Sequence, residues 1–379
     1  TVMPLSCAVY TSFPIFDNTG WNPWDYGQAL AAQRMVGSLS DLGVAVTILP
    51  SWLPHMLLVD EFVTDFKHHR EASLAARQRL QARAFDFVFC PENILPLAFL
   101  DTDVPVCLWT DAPYIAQTDD DYLKYLDRNT GKTGALNELL RQEKEVLAAC
   151  TLPAFASEWA VSSTQPYRIT HAKAVPWGGS LEPTVSLHEV SRALKARDLR
   201  HVHLLFLGVN WERKRGDFCV EIVKRLNDAG QPATLTIIGC TPQLDPGAHT
   251  LCDVMGFLDP QDPQQRQQLE SALLTSHFLV MPSAIEMYGV VFCEASLHGL
   301  PSLAGRVGGI STIIQDGING GLLSAHASPQ EYADRILQFI NDPAGYQQLA
   351  TSTLAHGHAQ LKWDVRTRAF LDQVQQALG

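Results

Sequence analysis

The sequence predicts an α/β protein made of two doubly wound, Rossmann-like domains. Short apolar runs alternate with longer amphipathic ones along the chain, which is the pattern of parallel strands joined by helical crossovers. A length of 379 residues exceeds what one ordinary core holds and favours more than one domain. The periodicity also stops near residues 176–183, where turn residues cluster before a second series of strands begins.

Each half of the chain is predicted to contain six strands. In the first half we expect strands at residues 5–9, 44–49, 85–90, 104–109, 154–156 and 172–175, and helices at residues 27–42, 68–84, 134–149 and 158–165. In the second half we expect strands, with helices between them, at residues 203–207, 233–238, 254–257, 278–281, 302–304 and 321–323. The predicted units are an N-terminal domain at residues 1–180, a second domain at 181–360 and a C-terminal helix at 361–379.

The charge balance argues against a general nucleic-acid binder. The formal net charge is −12, whereas neutralising a phosphate backbone requires an excess of clustered Lys and Arg. One local exception is the basic stretch from Lys67 to Arg83, which is predicted to form a helix with a cationic face. This face is either a solvated surface or a peripheral contact with an anionic membrane.

Neither the cysteines nor the histidines predict a metal site. The eight cysteines form no Cys-x-x-Cys pair and lie mostly in apolar runs, so we expect free thiols in a reducing compartment. Two histidine pairs, His201 with His203 and His356 with His358, have no companion ligands at a sequence spacing that would complete a metal site. No apolar run approaches the roughly 18 residues that span a bilayer, and we expect a cytoplasmic protein.

Two acidic residues, Glu286 and Glu294, stand eight positions apart around a predicted helix start. The strand at 278–281 ends at Pro282, so Glu286 lies on a loop, while Gly289 opens the helix that carries Glu294. The unpaired N–H groups of a helix N-terminus attract anions, and carboxylates accept hydrogen bonds from sugar hydroxyls. The segment therefore predicts a nucleotide-sugar site. The alternative is that Glu286 is a first-turn acid and Glu294 a solvated helix residue.

A cationic loop follows the predicted strand at 203–207. It contains Arg213, Lys214 and Arg215 just before a helix. Cations at such a strand-to-helix loop can face a diphosphate together with helix N–H groups. A solvated surface loop is the alternative.

The order of residues from Pro282 to Gly320 closely resembles the donor half of the retaining GT-B glycosyltransferases of family 4. The shared pattern is Pro-Ser, Glu, aromatic-Gly, Glu-Ala, Gly-x-Pro, Gly-Gly and Asp-Gly-Ile-Asn-Gly. The Trp-Glu-Arg-Lys at residues 211–214 resembles one branch of this family, and residues 157–160 and 176–179 resemble the end of its first domain. The resemblance implies two Rossmann-like domains facing a central cleft, with a C-terminal helix that crosses back to the first domain.

The resemblance also implies roles for individual donor-site residues. Glu294 is expected to accept hydrogen bonds from the donor ribose, and Glu286 to meet hydroxyls of the transferred sugar. Lys214 matches the lysine that binds the diphosphate, whereas the family's arginine position is Val209 here, so Arg213 is the candidate replacement. Further donor contacts are expected from the backbone of Met287, Tyr288, Gly289 and Val290, and from the nucleobase loops that contain Gly256 and Phe257.

The first domain is expected to supply the acceptor site and the catalytic face. Gly20 lies in an aromatic loop positioned like the family's glycine loop, where Trp21 and Trp24 either stack on a sugar or pack in the loop. Asp111 stands where many family members have a histidine. It is expected either to receive the acceptor proton or bind a sugar hydroxyl, or to cap a helix before Ala112.

Together with these observations, the resemblance implies a retaining, metal-independent glycosyltransferase that moves a hexose-like group from a nucleoside diphosphate sugar to an acceptor hydroxyl. The predicted catalytic residues are Glu286, Asp111 and Lys214. The acceptor is a sugar, a glycan, a lipid-linked molecule or another small molecule, and no cofactor is expected. The alternatives are a nucleotide-sugar-binding partner subunit with little activity and another GT-B enzyme such as a sugar-nucleotide epimerase.

Overall fold

The computed structural model describes residues 5–11, 26–49, 67–91, 94–117 and 133–379. The chain divides into two compact units. The first comprises Thr1–Trp177 together with Trp363–Gly379, and the second comprises Gly178–Lys362. The chain therefore leaves the first unit once and returns to it at its C-terminal helix.

The described part of the first unit is a parallel sheet with helices between its strands. Its strands are β1 Ser6–Tyr10, β2 Ala45–Leu49, β3 Phe87–Pro91, β4 Val106–Thr110, β5 Leu152–Phe155 and β6 Lys173–Ala174. Its helices are α1 Tyr26–Asp41, α2 Lys67–Ala82, α3 Thr133–Ala149 and α4 Glu158–Ser163. The strand order is β2-β1-β3-β4-β5-β6, with every pair parallel.

The C-terminal helix, Trp363–Leu378, packs against this first sheet. The Phe370 ring stacks on the Trp109 ring of β4 with their centroids 4.6 Å apart. Trp363 meets the same ring edge-on, and the Trp109 indole N–H donates to the Val175 carbonyl at 2.7 Å. Trp109 is thus fully enclosed with its polar atom satisfied, which is what a buried tryptophan requires.

The second unit is also a six-stranded parallel sheet. Its strands are β7 Val202–Leu207, β8 Ala233–Ile238, β9 Cys252–Gly256, β10 Phe278–Met281, β11 Ser302–Gly305 and β12 Gly320–Leu323. Its helices are α5 Leu187–Lys195, α6 Gly216–Asp228, α7 Pro263–Thr275, α8 Val290–Leu297, α9 Ile310–Ile313, α10 Pro329–Ile340 and α11 Pro343–Gln360; the C-terminal helix of the first unit is α12. The strand order is β12-β11-β10-β7-β8-β9.

Local sequence sets several helix starts in the second unit. Ser186 and Ser328 each form a capping box. The serine side chain accepts a hydrogen bond from the backbone N–H three residues later, and the glutamate side chain at that position accepts one from the serine backbone N–H. Asp262 accepts from two N–H groups at the start of α7, where Pro263 occupies the first helical position. These caps fix where the three helices begin, and the cap at Asp262 also sets the start of the crossover from β9 to β10.

Several predicted elements end one or two residues earlier than expected, and two of them have a clear local cause. The helix predicted at 158–165 stops at Ser163 and continues as a separate 3-10 turn, Gln165–Tyr167, because Pro166 has no N–H to extend the α-helical pattern. The strand predicted at 254–257 stops at Gly256, whose φ of +71° turns the chain. Phe257 therefore belongs to the following loop.

All eight cysteines are free thiols, of which Cys240 and Cys252 are half-buried and the others buried. Burial raises the pKa of the Cys7 and Cys150 thiols to about 12. Such thiols stay protonated near neutral pH and behave as small apolar groups.

Candidate functional site

The candidate donor-site residues of the second unit lie on loops that follow parallel strands. The loop at 208–215 follows β7, and the loop at 282–289 follows the neighbouring strand β10. Because parallel strands deliver their carboxyl ends to one edge of the sheet, these loops meet there. The meeting brings together residues that are more than seventy positions apart in sequence.

The ammonium group of Lys214 and the carboxylate of Glu286 form a buried ion pair. The Lys214 Nζ donates to the Glu286 Oε2 at 2.8 Å. The two side chains are only 10% and 9% exposed. An ion pair held away from water at this distance is strong in Coulomb terms, but it also requires further polar contacts to offset its desolvation.

Arg213 supplies part of that support and joins the two loops. Its guanidinium donates to the Ile285 carbonyl at 2.9 Å and lies 3.6 Å from the Glu286 Oε1. Its backbone carbonyl accepts from the Ala284 N–H at 3.0 Å. The Arg213 N–H donates to the Asn210 side-chain oxygen at 2.9 Å. One residue therefore fixes the spacing between the β7 loop and the β10 loop.

The three charges of Lys214, Arg213 and Glu286 give this cluster an excess of positive charge. Burial alone raises the pKa of Glu286, but the Lys214 and Arg213 charges outweigh it and lower the pKa to about 2. Burial lowers the pKa of the Lys214 ammonium, and the neighbouring Arg213 acts in the same direction while Glu286 opposes them. Two cations face one carboxylate, which leaves a net charge that attracts an anion.

Arg215 does not join this charge cluster. It adopts a left-handed backbone conformation with φ of +56° at the start of α6, and its guanidinium lies 4.5 Å from the Phe218 ring centroid. Of the three adjacent cations at residues 213–215, Arg213 and Lys214 therefore lie against Glu286, and the Arg215 guanidinium packs on an aromatic ring.

Close backbone packing between the strand-end loops requires glycine at two positions. A Cβ on Gly208 would lie 2.4 Å from the Lys214 Cδ, so the bare backbone gives the lysine stem its path. A Cβ on Gly239, whose φ is +104°, would lie 2.6 Å from the Gly208 carbonyl oxygen. The Gly239 N–H donates to the Gly256 carbonyl at 2.8 Å. The loops after β7, β8 and β9 are thus held together through their backbones.

The surroundings of Glu294 and Glu286 contradict the alternative that both are ordinary helix acids. Glu294 is 6% exposed on α8, so it is not a solvated helix residue. Glu286 precedes the helix, which begins at Val290 after Gly289 with φ of +89°, and no acidic residue occupies the first turn. Both carboxylates are therefore held inside the protein at considerable desolvation cost.

The loop after β11 holds the backbone around Glu286. The Gly309 N–H donates to the Met287 carbonyl at 3.0 Å. A Cβ on Gly308 would lie 1.7 Å from the Glu286 carbonyl oxygen, and Gly308 itself has φ of +52°. The Gly-Gly pair of the sequence pattern therefore lies directly against the residue that carries the first carboxylate.

The remaining predicted donor contacts have different exposures. The side chain of Tyr288 is only 2% exposed, whereas Met287, Gly289 and Val290 are partly exposed. Phe257 is 39% exposed on the loop after β9. Gly20 and the two tryptophans near it lie outside the described residues.

Asp111 belongs to the first unit and follows β4. It is partly exposed, and its Oδ1 accepts from the Ala112 N–H at 2.7 Å. The Thr110 hydroxyl donates to the same oxygen at 3.4 Å. These bonds hold the carboxylate at the strand end. The 3-10 turn that follows, Tyr114–Gln117, is anchored by another residue.

That residue is Glu143 on α3, which sequence reasoning missed. Its carboxylate accepts from the backbone N–H groups of Tyr114 and Ile115 and from the Tyr167 hydroxyl, the last two at 2.9 Å. Burial raises the pKa of Glu143 to about 7, and these hydrogen bonds oppose the rise. Nothing in the local sequence distinguishes Glu143 from the exposed acids of the same helix.

The described part of the chain contains neither a cluster of metal-ligating side chains nor a helix that could span a membrane. Among those residues, His, Cys, Asp and Glu nowhere gather in threes with the geometry of a metal site. Within the same ranges, the helices lack the length and apolar character needed to cross a membrane.

Residues 201–342 match the family model of glycosyl transferases group 1. The matched segment contains Lys214, Glu286 and Glu294. It is therefore similar in sequence to that family over most of the second unit, where the charge cluster lies.

Curated relatives align with a comparable segment. The chain is 35% identical over 118 residues to a D-inositol 3-phosphate glycosyltransferase of Mycobacterium leprae. The aligned segment covers 31% of this chain and 27% of the relative. The chain is also 35% identical over 112 residues to the enzyme of the same name from Nocardiopsis dassonvillei, covering 30% of this chain and 26% of the relative. The aligned segment thus spans about a quarter of the length of these relatives.

Solved structures resemble the chain over nearly its whole length. Sucrose-phosphate synthase from Thermosynechococcus elongatus gives a TM-score of 0.70 at 15% identity, covering 98% of both chains. HepE of Anabaena in complex with UDP-glucose gives a TM-score of 0.65 at 14% identity, covering 98% of this chain and 100% of HepE. The predicted fold class, with two doubly wound α/β units of the GT-B type, is confirmed.

Proposed function

We propose that this protein is a retaining glycosyltransferase that moves a hexose-like group from a nucleoside diphosphate sugar to an acceptor hydroxyl. The observation that carries the proposal is the buried cluster of Lys214, Arg213 and Glu286 at the carboxyl edge of the second sheet. The cluster lies within the segment that matches group 1 glycosyl transferases. Its excess positive charge suits a diphosphate, and its carboxylate suits sugar hydroxyls.

In this proposal the diphosphate binds to Lys214 and Arg213 and to the N–H groups at the start of α8. As the bond between the anomeric carbon and the diphosphate oxygen breaks, negative charge develops on the leaving group. Fixed cations and helix N–H groups stabilise that charge in a site from which water is excluded. These groups take the role that a divalent metal has in other transferases, so the proposed reaction is metal-independent.

The two carboxylates divide the rest of the donor. Glu294 accepts hydrogen bonds from the ribose, and Glu286 accepts them from hydroxyls of the sugar. The partly exposed Met287, Gly289 and Val290 offer backbone groups to the sugar and diphosphate. Gly256 and the exposed ring of Phe257 line the nucleobase side.

The acceptor hydroxyl belongs to a sugar, a glycan, a lipid-linked molecule or another small molecule, and the first unit binds it. Its oxygen forms the new bond to the anomeric carbon on the face from which the diphosphate leaves, which preserves the anomeric configuration. Its proton passes to a departing phosphate oxygen or to Asp111. The names of the relatives and the UDP-glucose complex of HepE support a sugar nucleotide as donor.

The proposal is tested by presenting the full chain with UDP-, GDP-, ADP- and dTDP-sugars in a thermal-shift series. The cognate donor is expected to raise the melting temperature, since a ligand that binds only the folded state stabilises it. Transfer is then followed by NMR with sugar and glycan acceptors, and the anomeric signal of the product gives the stereochemistry. The rate is expected to be unchanged in excess EDTA.

The outcomes separate the proposal from the partner-subunit alternative. Binding of a sugar nucleotide without turnover on any acceptor would favour a partner subunit, an interpretation that Val209 in place of the family's arginine keeps open. Stabilisation by none of the four nucleotide classes would contradict the donor site itself.

A further inference from the structure

The carboxylate of Glu286 already pairs with the Lys214 ammonium to which the proposed function assigns the diphosphate. The lysine side chain is 10% exposed and its ammonium is engaged by Glu286 at 2.8 Å. Arg213 is 23% exposed and also lies within ion-pair distance of the same carboxylate. A diphosphate that reaches both cations therefore competes with Glu286 for them.

We infer that Glu286 is a specificity-determining counter-ion that distinguishes an intact sugar nucleotide from the spent nucleoside diphosphate. This inference rests on the proposed function and concerns the regulation of the same site. In the empty site Glu286 neutralises one of the two cations. When the donor binds, the diphosphate displaces the carboxylate from Lys214, and the displaced carboxylate turns to the sugar hydroxyls.

The energetic argument depends on what the displaced carboxylate contacts. A buried ionised carboxylate without partners carries a large desolvation cost. With an intact donor, the sugar hydroxyls donate to it and offset that cost. With a nucleoside diphosphate alone, the transferred sugar is missing, and the Glu286 carboxylate faces the negative phosphates instead. The spent nucleotide is therefore bound less tightly than its charge alone would predict.

The same balance assists product release. Once the sugar has moved to the acceptor, Glu286 loses its hydroxyl partners and returns to Lys214, which expels the diphosphate. The backbone that carries Glu286 is held by Gly308 and by the Met287–Gly309 hydrogen bond. The exchange therefore requires rotation of one side chain and no movement of the loop.

The test measures affinity without any acceptor. Inorganic pyrophosphate, and the nucleoside diphosphate of whichever donor the wild-type protein binds, are titrated by calorimetry into the full chain. Glu286→Gln keeps the size of the side chain but removes the internal anion. We expect both probes to bind this variant roughly tenfold more tightly than the wild type, which corresponds to about 1.4 kcal/mol, while the intact sugar nucleotide gains less.

A matched control is available on the neighbouring loop. Glu212 is exposed two residues before Lys214, so Glu212→Gln removes the same charge from the surface without touching the pair. Its affinities are expected to equal those of the wild type. An equal gain in affinity in both variants would show that only the long-range electrostatic potential of the protein had changed. That result would overturn the inference.

Loss of the buried carboxylate leaves two cations close together, so the empty Glu286→Gln variant is expected to melt at a lower temperature and to recover with pyrophosphate. If it does not fold, Glu286→Asp serves as the second variant, because a shorter carboxylate holds Lys214 less firmly. Here the expected gain in pyrophosphate affinity is smaller but still present.

The failures are distinguishable. If the wild type binds neither pyrophosphate nor any nucleotide, the proposed function fails. If the wild type binds them and the folded Glu286 variant binds them equally or more weakly, the proposed function stands and the counter-ion role is wrong. In steady-state assays the counter-ion role also requires stronger inhibition by the nucleoside diphosphate product in Glu286→Gln.

Discussion

Gly308 lies so close to Glu286 that a Cβ at position 308 would stand 1.7 Å from the Glu286 carbonyl oxygen. No real Cβ tolerates that distance, so the backbone of one loop must move when Gly308 is replaced. Because Glu286 contacts the two cations of the site, the displacement reaches Lys214 and Arg213 directly.

We therefore expect Gly308→Ala to abolish sugar transfer and to lower the melting temperature. Part of the destabilisation comes from backbone strain, since a left-handed conformation costs a non-glycine residue about 1–2 kcal/mol. Gly317→Ala separates strain from steric clash, because Gly317 has φ of +76° and open space around its Cβ position. Transfer rates and melting curves of both variants are the measurement, and equal losses would contradict the proposed contact.

Lys214→Ala is expected to lower the transfer rate on the order of 100-fold or more, because it removes a fixed charge from the leaving diphosphate. Lys224→Ala on α6 is the control, since that lysine forms an ion pair with the surface residue Glu221. Rates are compared at donor concentrations below KM. Wild-type activity in Lys214→Ala would exclude the lysine from the donor site.

The adjacent arginines should respond differently to the same substitution. Arg213→Gln removes the link between two loops and a cation beside Glu286, and we expect donor affinity to fall about tenfold, the usual effect of one charge-assisted hydrogen bond. Arg215→Gln removes a cation that lies over the Phe218 ring and should leave affinity almost unchanged. The reverse order of effects would mean that Arg215 binds the diphosphate.

Asp111→Asn tests the two roles proposed for that residue. Asparagine can still accept from the Ala112 N–H but cannot take a proton, so a catalytic role predicts a fall in kcat of about 100-fold with an unchanged melting temperature. A residue that only fixes the strand end predicts wild-type turnover in the same variant. Single-turnover rates on saturating donor distinguish the two results.

Acidification should destabilise the second unit through His277. Its Nδ1 accepts from the His203 N–H at 2.9 Å, and burial lowers its pKa from 6.5 to about 4. The unfolded chain therefore takes up a proton before the folded chain does, so stability is lost as pH falls from 6.5 towards 4. The shift corresponds to about 3 kcal/mol.

The control for this pH dependence is His277→Asn. Its side-chain oxygen can replace the Nδ1 acceptor but does not titrate. Denaturant unfolding of the two proteins at several pH values should show a smaller decline for the variant. Parallel curves would show that other groups, such as the buried His298, carry the acid sensitivity.

The sequence predicted the secondary structure well where apolar runs are bounded by turn residues. β8 at Ala233–Ile238 and β10 at Phe278–Met281 lie where they were expected. Such runs are distinctive because both faces of a parallel sheet are buried. Their order in the sheets, in contrast, depends on packing between elements that are distant in sequence.

The contacts within the site could be predicted only in part. The residue types at 214 and 286 suggested a shared ligand, but not that the two side chains pair with each other in its absence. The role of Glu143 could not be predicted because its partners are mainly backbone N–H groups. Every residue except proline has such a group. A hydrogen bond to the main chain leaves no trace in side-chain spacing.

The return of helix α12 to the first unit has a consequence for protein synthesis. Trp109 is translated long before Phe370 and Trp363, the rings that cover it. Domains generally fold as the ribosome delivers them, yet here the first unit lacks part of its aromatic core until residues 363–370 emerge. The second unit, whose residues are contiguous, can fold first, and the core around Trp109 is completed after it.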